Sequence, residues 1–147
     1  MLLRDLPCKP HLHEIGNSRF RAGPFEVQSF YIIHPGPTVG YRVSEKQAAF
    51  AYMPDHEPAL GGDRIGSDPK WISGFDIAEG ADLLLHDSQF TREEYMQRRG
   101  WGHSSMLDAV MFASVAAVKQ LLLSHHDPDH SDAFLDKMFA PCKQTAG

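Results

Sequence analysis

Alternating hydrophobic and polar side chains predict three strands in the first third of the chain. The segment FEVQSFYII (25–33) is rich in aromatic and β-branched residues and runs into a His-Pro-Gly turn, which is typical of a strand end. TVGYRV (38–43) and KQAAFAYM (46–53) predict two further strands, with residues 44–45 as the turn between them. Residues 54–70 hold several prolines and glycines and therefore predict a long loop.

Apolar periodicity in the second half predicts a strand, a helix and another strand in succession. ADLLLHD (81–87) is a short apolar run, which is typical of a buried strand. SSMLDAVMFASVAAVK (104–119) places apolar side chains on one helical face, and Ser105 with Asp108 three residues later is close to a capping box. QLLLS (120–124) then predicts another buried strand.

SDAFLDKMFA (131–140) predicts a last helix that begins at the cap residue Ser131. Strands early in the chain, followed by alternating strands and helices, indicate an α/β (α+β) fold in which helices flank a mixed sheet. No internal repeat or linker divides the 147 residues, so we expect one domain.

Composition and charge indicate which classes of protein the chain can belong to. Hydrophobic residues make up 42% and charged residues 22% of the chain, which indicates a globular protein. The net charge of −5 argues against a general nucleic-acid-binding surface, which needs a basic stripe. No apolar run is long enough to cross a bilayer and no secretion signal is present, so we expect a cytoplasmic protein. Cys8 and Cys142 lie near opposite ends without CxxC spacing, and we expect free thiols.

Histidine and aspartate recur where the predicted strands end. These residues are His34, Asp55, His56, His86, Asp87, His125, His126, Asp127 and His130. A single histidine at a strand end is more often a hydrogen-bonded loop residue than a ligand, but four strand ends share this composition. Strands aligned in one sheet bring such ends to one rim, where α/β proteins tend to bind ligands. Imidazole and carboxylate together suit zinc, manganese or iron, so the pattern indicates a metal site.

The two histidines of HLHE, His11 and His13, are a weaker candidate for metal binding. They would face one side of a strand, but no Asp-His pair follows them. We interpret them as ordinary surface or packing residues.

Five segments, in this order, resemble the metallo-β-lactamase superfamily. They are FYIIHPGPTVGYRV, AYMPDHEP, ADLLLHDSQFTREEY, GWGHSS and LLLSHHDPDHSD. The likeness extends from Leu6 to Leu135 and is strongest to the phosphodiesterase branch, which includes ribonuclease Z-like hydrolases. It implies a metal-dependent hydrolase that acts on a phosphodiester small molecule or a nucleotide, with two Zn²⁺ ions, or Mn²⁺ or Fe²⁺, in the complete fold.

The resemblance also implies roles for five residues. His34 matches the histidine that completes the first metal site, Asp55 the carboxylate that bridges the two metals, and His125 the last ligand of the second metal. Asp87 and His103 resemble the carboxylate–histidine pair that serves the scissile phosphate or its leaving group. A carboxylate beside an imidazole fixes the tautomer of the ring and supports proton transfer by it.

The main metal motif of the superfamily, His-x-His-x-Asp-His, is absent from residues 1–147. HLHE does not replace it, because HEIG fits the family's own segment before the FEV strand. The chain therefore resembles the second half of an αββα sandwich, a partial domain. Each metal would have only one histidine ligand, His34 or His125, and the bridging carboxylate of Asp55. Catalytic zinc normally has about three protein ligands and a water. We therefore expect the chain alone to bind metal weakly and to associate through bared apolar surface.

Two classes of function remain open at this point. The first is a phosphodiesterase half that is completed by an N-terminal half from another chain or a longer protein, with no role at a membrane. The second is a non-catalytic remnant or binding module of the same fold. A homodimer that assembles ligands across its interface is a third alternative. His126 and His130 are weak substitutes for the missing ligands, because His125 and His126 point to opposite sides and His130 is expected to help start the last helix.

Overall fold

The computed structural model describes residues 7–8, 10–58 and 68–145, except for the side chains of 141–145. Six strands form one mixed sheet. They are β1 Ser18–Ala22, β2 Phe25–Ile32, β3 Thr38–Glu45, β4 Ala48–Met53, β5 Leu83–Asp87 and β6 Leu121–Ser124. The strands pair in chain order: β1 to β4 are antiparallel, and β5 and β6 continue parallel to β4. The mixed sheet with flanking helices confirms the predicted fold class.

In the part of the chain that the structure describes, four α-helices accompany the sheet. They are α1 Phe75–Ala78, α2 Arg92–Arg98, α3 Met106–Val115 and α4 Asp132–Thr145. A short 3-10 helix covers Pro69–Trp71. The sequence pattern did not predict β1, α1 or α2. Helix α2 opens with a capping box, in which Glu94 N–H donates to Thr91 Oγ1 (3.1 Å) and Thr91 N–H donates to Glu94 Oε2 (2.8 Å).

Several predicted boundaries are wrong. The turn expected at residues 44–45 lies two residues later, at 46–47, because β3 continues to Glu45 and Lys46 adopts a left-handed φ of 56°. The start of the helix predicted at 104–119 is confirmed, because Ser105 is its cap and the Ser105 Oγ accepts from Asp108 N–H at 3.1 Å. The helix ends at Val115, because left-handed backbone follows at Ala117 (φ 52°).

The two remaining segments differ from expectation in length. The last helix extends to Thr145 rather than to residue 140. Of the loop predicted at 54–70, residues 59–67 lie outside the described chain, and the 3-10 helix begins at Pro69.

Helices α1 and α3 pack against one face of the sheet and form the core. Its buried members include Ile32, Ala51, Met53, Ile77, Leu84 and Phe112. Gly40 of β3 lies directly beneath α1, and a Cβ there would lie 2.8 Å from both Ile77 Cδ1 and Met53 Cγ. The close approach of helix and sheet therefore requires glycine at this position.

The opposite face of the sheet, which we call the open face, carries a row of apolar side chains. Strand register aligns Tyr41, Tyr52, Leu85 and Leu122 across β3 to β6. Tyr52 and Leu122 are 38% and 52% exposed, so this face is incompletely covered. Apolar side chains lie on both faces of the sheet, as expected for a sheet packed on both sides.

The sequence predicted no membrane-spanning segment and free cysteine thiols. Within the described residues, no helix combines the length and the apolar character needed to cross a bilayer. Cys8 is a free, exposed thiol, as expected. The side chain of Cys142 lies outside the described part of the chain.

Candidate metal centre

The C-terminal ends of four strands lie along one edge of the sheet. Strands β2 and β4 are each antiparallel to β3 and hence parallel to one another, and β5 and β6 continue in the direction of β4. The residues at or just beyond these ends are His34, Asp55, Asp87 and His125. They share one rim, as the sequence predicted.

His125 bridges two carboxylates at the rim. Its Nε2 lies 3.5 Å from Asp55 Oδ1, and its Nδ1 lies 3.3 Å from Asp87 Oδ2. Its φ of 57° is left-handed, which is uncommon for a residue other than glycine and ends β6 at this point. The hydrogen bond with Asp87 raises the pKa of His125 against the opposing effect of burial, and Asp55 adds to the increase.

Asp87 is a fully buried carboxylate that already accepts several hydrogen bonds. Oδ2 accepts from His103 Nδ1 at 2.6 Å, while Oδ1 accepts from the N–H groups of Ser104 (2.9 Å) and Gln89 (3.1 Å). Burial raises the pKa of Asp87, but the hydrogen bonds from His103, His125 and Ser104 outweigh burial and hold the pKa below its ordinary value. Asp87 is therefore better suited to orient imidazole rings than to bind a cation itself.

His103 and His34 meet over Gly102. Their ring centroids are 5.4 Å apart, with the rings edge to face. Gly102 has a φ of 91°, and a Cβ at this position would overlap His34 Cδ2 and Pro35 Cδ. Only glycine therefore allows the His34 ring to pack against this turn. On the other side, His34 Nδ1 lies 3.0 Å from Thr38 Oγ1, which restrains the ring.

Two groups of donor atoms at the rim are compact enough to hold a cation. One group is His34, Asp55 and His103, and the other is Asp87, His103 and His125; within each, the ligand atoms lie within 4.8 Å of one another. Imidazole nitrogen and carboxylate oxygen suit zinc, manganese and iron, so the first group fits a transition metal. In the second group, the Asp87 carboxylate is already engaged by hydrogen bonds from His103 and Ser104. His103 belongs to both groups, which the sequence did not predict, since it placed His103 at the substrate.

Glu57 is a part of the site that the sequence analysis missed. Its fully buried side chain accepts hydrogen bonds from Tyr95 Oη (3.0 Å), Gly100 N–H (2.8 Å) and Gly102 N–H (2.7 Å). Burial and the hydrogen bond to Glu57 both raise the pKa of Tyr95, so its hydroxyl remains a donor. Glu57 therefore braces the turn that leads into His103.

Beneath the rim, His56 and His86 form a buried pair. His56 Nδ1 lies 2.9 Å from His86 Nε2, and both rings pack against Phe112. Burial lowers the pKa of both histidines, which keeps them neutral. His86 Nδ1 also lies 2.7 Å from the carbonyl oxygen of Asp87. The pair supports the rim from within the core.

The remaining histidines lie apart from the donor groups. His126 turns away from its neighbour and its Nδ1 lies 3.3 Å from Ser88 Oγ. His130 lies just before α4 and packs on its first turn, because its ring centroid is 4.4 Å from that of Phe134. Its Nε2 also pairs with Glu94 Oε1 at 2.9 Å, which ties this segment to α2. Both histidines of HLHE are exposed, in agreement with their interpretation as surface residues.

Comparison with known proteins identifies related sequences. Residues 9–126 match the family described as "Beta-lactamase superfamily domain". Ribonuclease Z of Thermococcus onnurineus (strain NA1) is 28% identical over 152 residues, which cover 78% of this chain and 48% of the relative. Ribonuclease Z of Trichodesmium erythraeum (strain IMS101) is 30% identical over 125 residues, with coverage of 76% and 38%. The chain thus spans half or less of the length of these curated relatives.

Solved structures give the same relationship. Human tRNase Z, short form, superposes with a TM-score of 0.59 at 27% identity, covering 74% of this chain and 38% of that one. The metallo-β-lactamase fold protein YhfI from Bacillus subtilis superposes with a TM-score of 0.66 at 22% identity, covering 91% and 48%. At that identity, the second likeness shows the fold alone.

Proposed function

The chain belongs to the metallo-β-lactamase superfamily, with a ribonuclease Z-like relationship, and we propose that it forms the C-terminal part of a metal-dependent hydrolase of phosphodiester bonds. One observation supports this most strongly: polar side chains from separate strand ends converge on one rim. They are His34, Asp55, Asp87, His103 and His125.

His34, Asp55 and His125 would hold two divalent cations, with the Asp55 carboxylate shared between them. Zinc bound there, or manganese or iron, would supply Lewis-acid polarisation of the phosphate oxygens. Three donors are too few for two cations, because catalytic zinc normally has about three protein ligands. We therefore propose that further ligands come from residues outside these 147, in an N-terminal half on a longer polypeptide or on a separate chain.

His103 is the residue that would move a proton at the scissile phosphate or its leaving group. Asp87 holds Nδ1 of this ring at 2.6 Å, which leaves Nε2 as the nitrogen available to substrate. The side chain of His103 is 16% exposed and that of Asp87 is fully buried, so little water competes for their hydrogen bond. The ring is therefore oriented before a substrate arrives.

The experiment compares the purified chain alone with the same chain mixed with a candidate N-terminal half that carries a His-x-His-x-Asp-His motif. Metal content is measured by elemental analysis after dialysis against zinc or manganese, and hydrolysis is measured with a generic aryl phosphodiester. We expect the chain alone to retain less than one equivalent of metal and to turn over slowly. The mixture should retain two equivalents and hydrolyse the ester.

Each other outcome would support a different function or assembly of the chain. Two tightly held ions and rapid hydrolysis by the chain alone would refute the partial site. If the activity of the chain alone rises steeply with its concentration, a homodimer supplies the ligands. A mixture that holds two ions but hydrolyses nothing would instead favour the non-catalytic binding module.

A further inference from the structure

The donor atoms at the rim fit one cation better than two. His34, Asp55 and His103 offer two imidazoles and one carboxylate, with ligand atoms that lie within 4.8 Å of one another. Two histidines and one carboxylate are a usual ligand set of catalytic zinc and of ferrous iron, in which water or substrate takes the open positions. Three donors are too few for two cations but sufficient for one.

His103, and not His125, lies with the other two donors. Within the described part of the chain, His34, Asp55 and His125 do not form a group with ligand atoms inside that distance. The His125 ring lies between two carboxylates, with Nε2 3.5 Å from Asp55 Oδ1 and Nδ1 3.3 Å from Asp87 Oδ2. The resemblance to the superfamily assigns the ligand role to His125, so the arrangement in this chain differs from that assignment.

His103 also has the surroundings of a metal ligand. A metal-binding histidine usually donates its other ring N–H to a carboxylate or carbonyl, which fixes the tautomer and makes the coordinating nitrogen more basic. The Nδ1 of His103 lies 2.6 Å from Oδ2 of the fully buried Asp87, which leaves Nε2 for a cation. The ring of His34 is restrained in a similar way, because its Nδ1 lies 3.0 Å from Thr38 Oγ1.

From this geometry we propose that the chain alone binds one divalent transition-metal ion through His34, Asp55 and His103. When the missing half of the domain is added, a histidine of its His-x-His-x-Asp-His motif replaces His103 on the metal, and His103 Nε2 becomes available to substrate. The chain alone is thus inactive because its proton-transferring residue is a metal ligand. All three side chains are half-buried, so the ion exchanges with solvent, and dialysis leaves less than one equivalent.

The replacement step rests on the proposed function, in which His103 serves the phosphate, whereas binding of one ion by the chain alone does not. The first measurement is NMR of the histidine ring nitrogens in the full chain during titration with Zn²⁺. The resonances of His34 and His103 should shift and reach their end points at one equivalent, and those of His125 should shift less. This measurement needs no variant and therefore does not depend on how a substitution affects folding.

Calorimetry of Zn²⁺ binding tests the same residues by substitution. His103→Ala should weaken binding about 10-fold or more, and His125→Ala should weaken it less. Asp87→Asn, which removes the charged partner of the His103 ring, should weaken binding about 10- to 100-fold. His13→Ala, at an exposed position, is the matched control for loss of a histidine and should bind as the parent does. Circular dichroism of each variant verifies its fold.

Addition of the N-terminal half tests the replacement. The His103 ring resonances should then move back toward their metal-free positions, while those of His34 remain shifted. If His103 stays shifted in a completed protein that hydrolyses the ester, replacement is refuted.

The failures of the two proposals can be told apart. Shifts at His125 without shifts at His103 in the chain alone would overturn the inference and leave the hydrolase proposal standing. Saturation at half an equivalent per chain would show an ion shared between two copies and would also overturn it. One ion bound through His103, followed by a completed protein that hydrolyses nothing, would leave this site standing and refute the hydrolase proposal.

Discussion

His103 Nδ1 lies 2.6 Å from Oδ2 of the fully buried Asp87. Since exclusion of water strengthens such a hydrogen bond, this pair fixes the orientation of the imidazole. In the completed, metal-loaded protein, His103→Ala is expected to lower phosphodiester turnover about 100-fold or more while metal content falls little. Steady-state kinetics and elemental analysis on the same preparation measure both, with the exposed His13→Ala as control. Equal losses of metal and turnover would show that His103 is a metal ligand instead.

Glu57→Ala is expected to destabilise the chain strongly, because it leaves the N–H groups of Gly100 and Gly102 and the hydroxyl of Tyr95 without their acceptor. The free energy of unfolding should fall by about 2–4 kcal/mol. Tyr95→Phe removes only one of these donors and should cost about 1 kcal/mol. Urea denaturation measures both values. Amide exchange at residues 100 and 102 should accelerate in Glu57→Ala only; if Tyr95→Phe costs as much, the brace on the turn is not the cause.

Gly102→Ala and Gly100→Ala form a matched pair. Both positions have left-handed backbone, with φ values of 91° and 87°, so an added Cβ strains each alike. A Cβ at Gly102 also overlaps His34 and Pro35, whereas one at Gly100 meets nothing within 4 Å. Gly102→Ala should therefore cost about 1–3 kcal/mol more in unfolding free energy and should displace the NMR resonances of the His34 ring. Identical losses in the two variants would mean that the His34 ring moves aside freely.

The Asp82 carboxylate should make stability depend on pH. Its hydrogen bond with Lys119 Nζ (2.7 Å), and then its bond with Ala49 N–H (2.7 Å), lower the pKa of Asp82. A carboxyl group whose pKa is lower in the folded state adds stability above its unfolded pKa, about 3.9. That stability is lost as the pH falls through the folded pKa. The urea midpoints of the parent and of Asp82→Asn should therefore differ at neutral pH and converge in acid. Glu45→Gln, at an exposed position, serves as the control, and its midpoint should stay close to that of the parent at both pH values. A difference that persists in acid would assign the effect to geometry rather than charge.

The isolated chain is expected to associate through the open face. Leu122 on this face is 52% exposed and Tyr52 beside it is 38% exposed. Exposed apolar patches larger than about 400 Å² promote association. Leu122→Lys should therefore lower the mass measured by light scattering, whereas Met111→Lys, at a 44% exposed position on α3, should not. A parent chain that is monomeric and binds no hydrophobic dye would contradict the expectation.

The sequence predicted the rim residues well, because each strand end is marked by the residues that directly follow it. Apolar strands that end in His or Asp mark their own ends, and once the strands are parallel, those ends meet. The sequence did not predict α1, which is only four residues long, or two elements that bury little. Strand β1, SRFRA, is largely exposed, and α2 buries only Tyr95 among its residues, so neither shows an apolar face. The capping box of α2 nevertheless has a sequence signature, because Thr91 is followed three residues later by Glu94 in the segment TREE.

The support beneath the site was hidden from the sequence for a different reason. Glu57 and His56 follow a predicted ligand in a proline-containing loop, where charged and polar residues are ordinarily solvated. Their burial depends on the turn at Gly100 and on Phe112 of α3, both more than 40 residues away. No pattern in the local sequence shows such distant partners.

The order of the strands determines when the rim can form during synthesis. Because the strands pair in chain order, each new strand adds to an existing edge, and none has to insert between two earlier ones. The antiparallel hairpins of β1 to β4 join residues close in sequence and should form early, whereas the parallel pairs need longer crossovers and form later. His125 follows the last strand to join, β6. During synthesis, the rim residues can therefore come together only after residue 125 has left the ribosome.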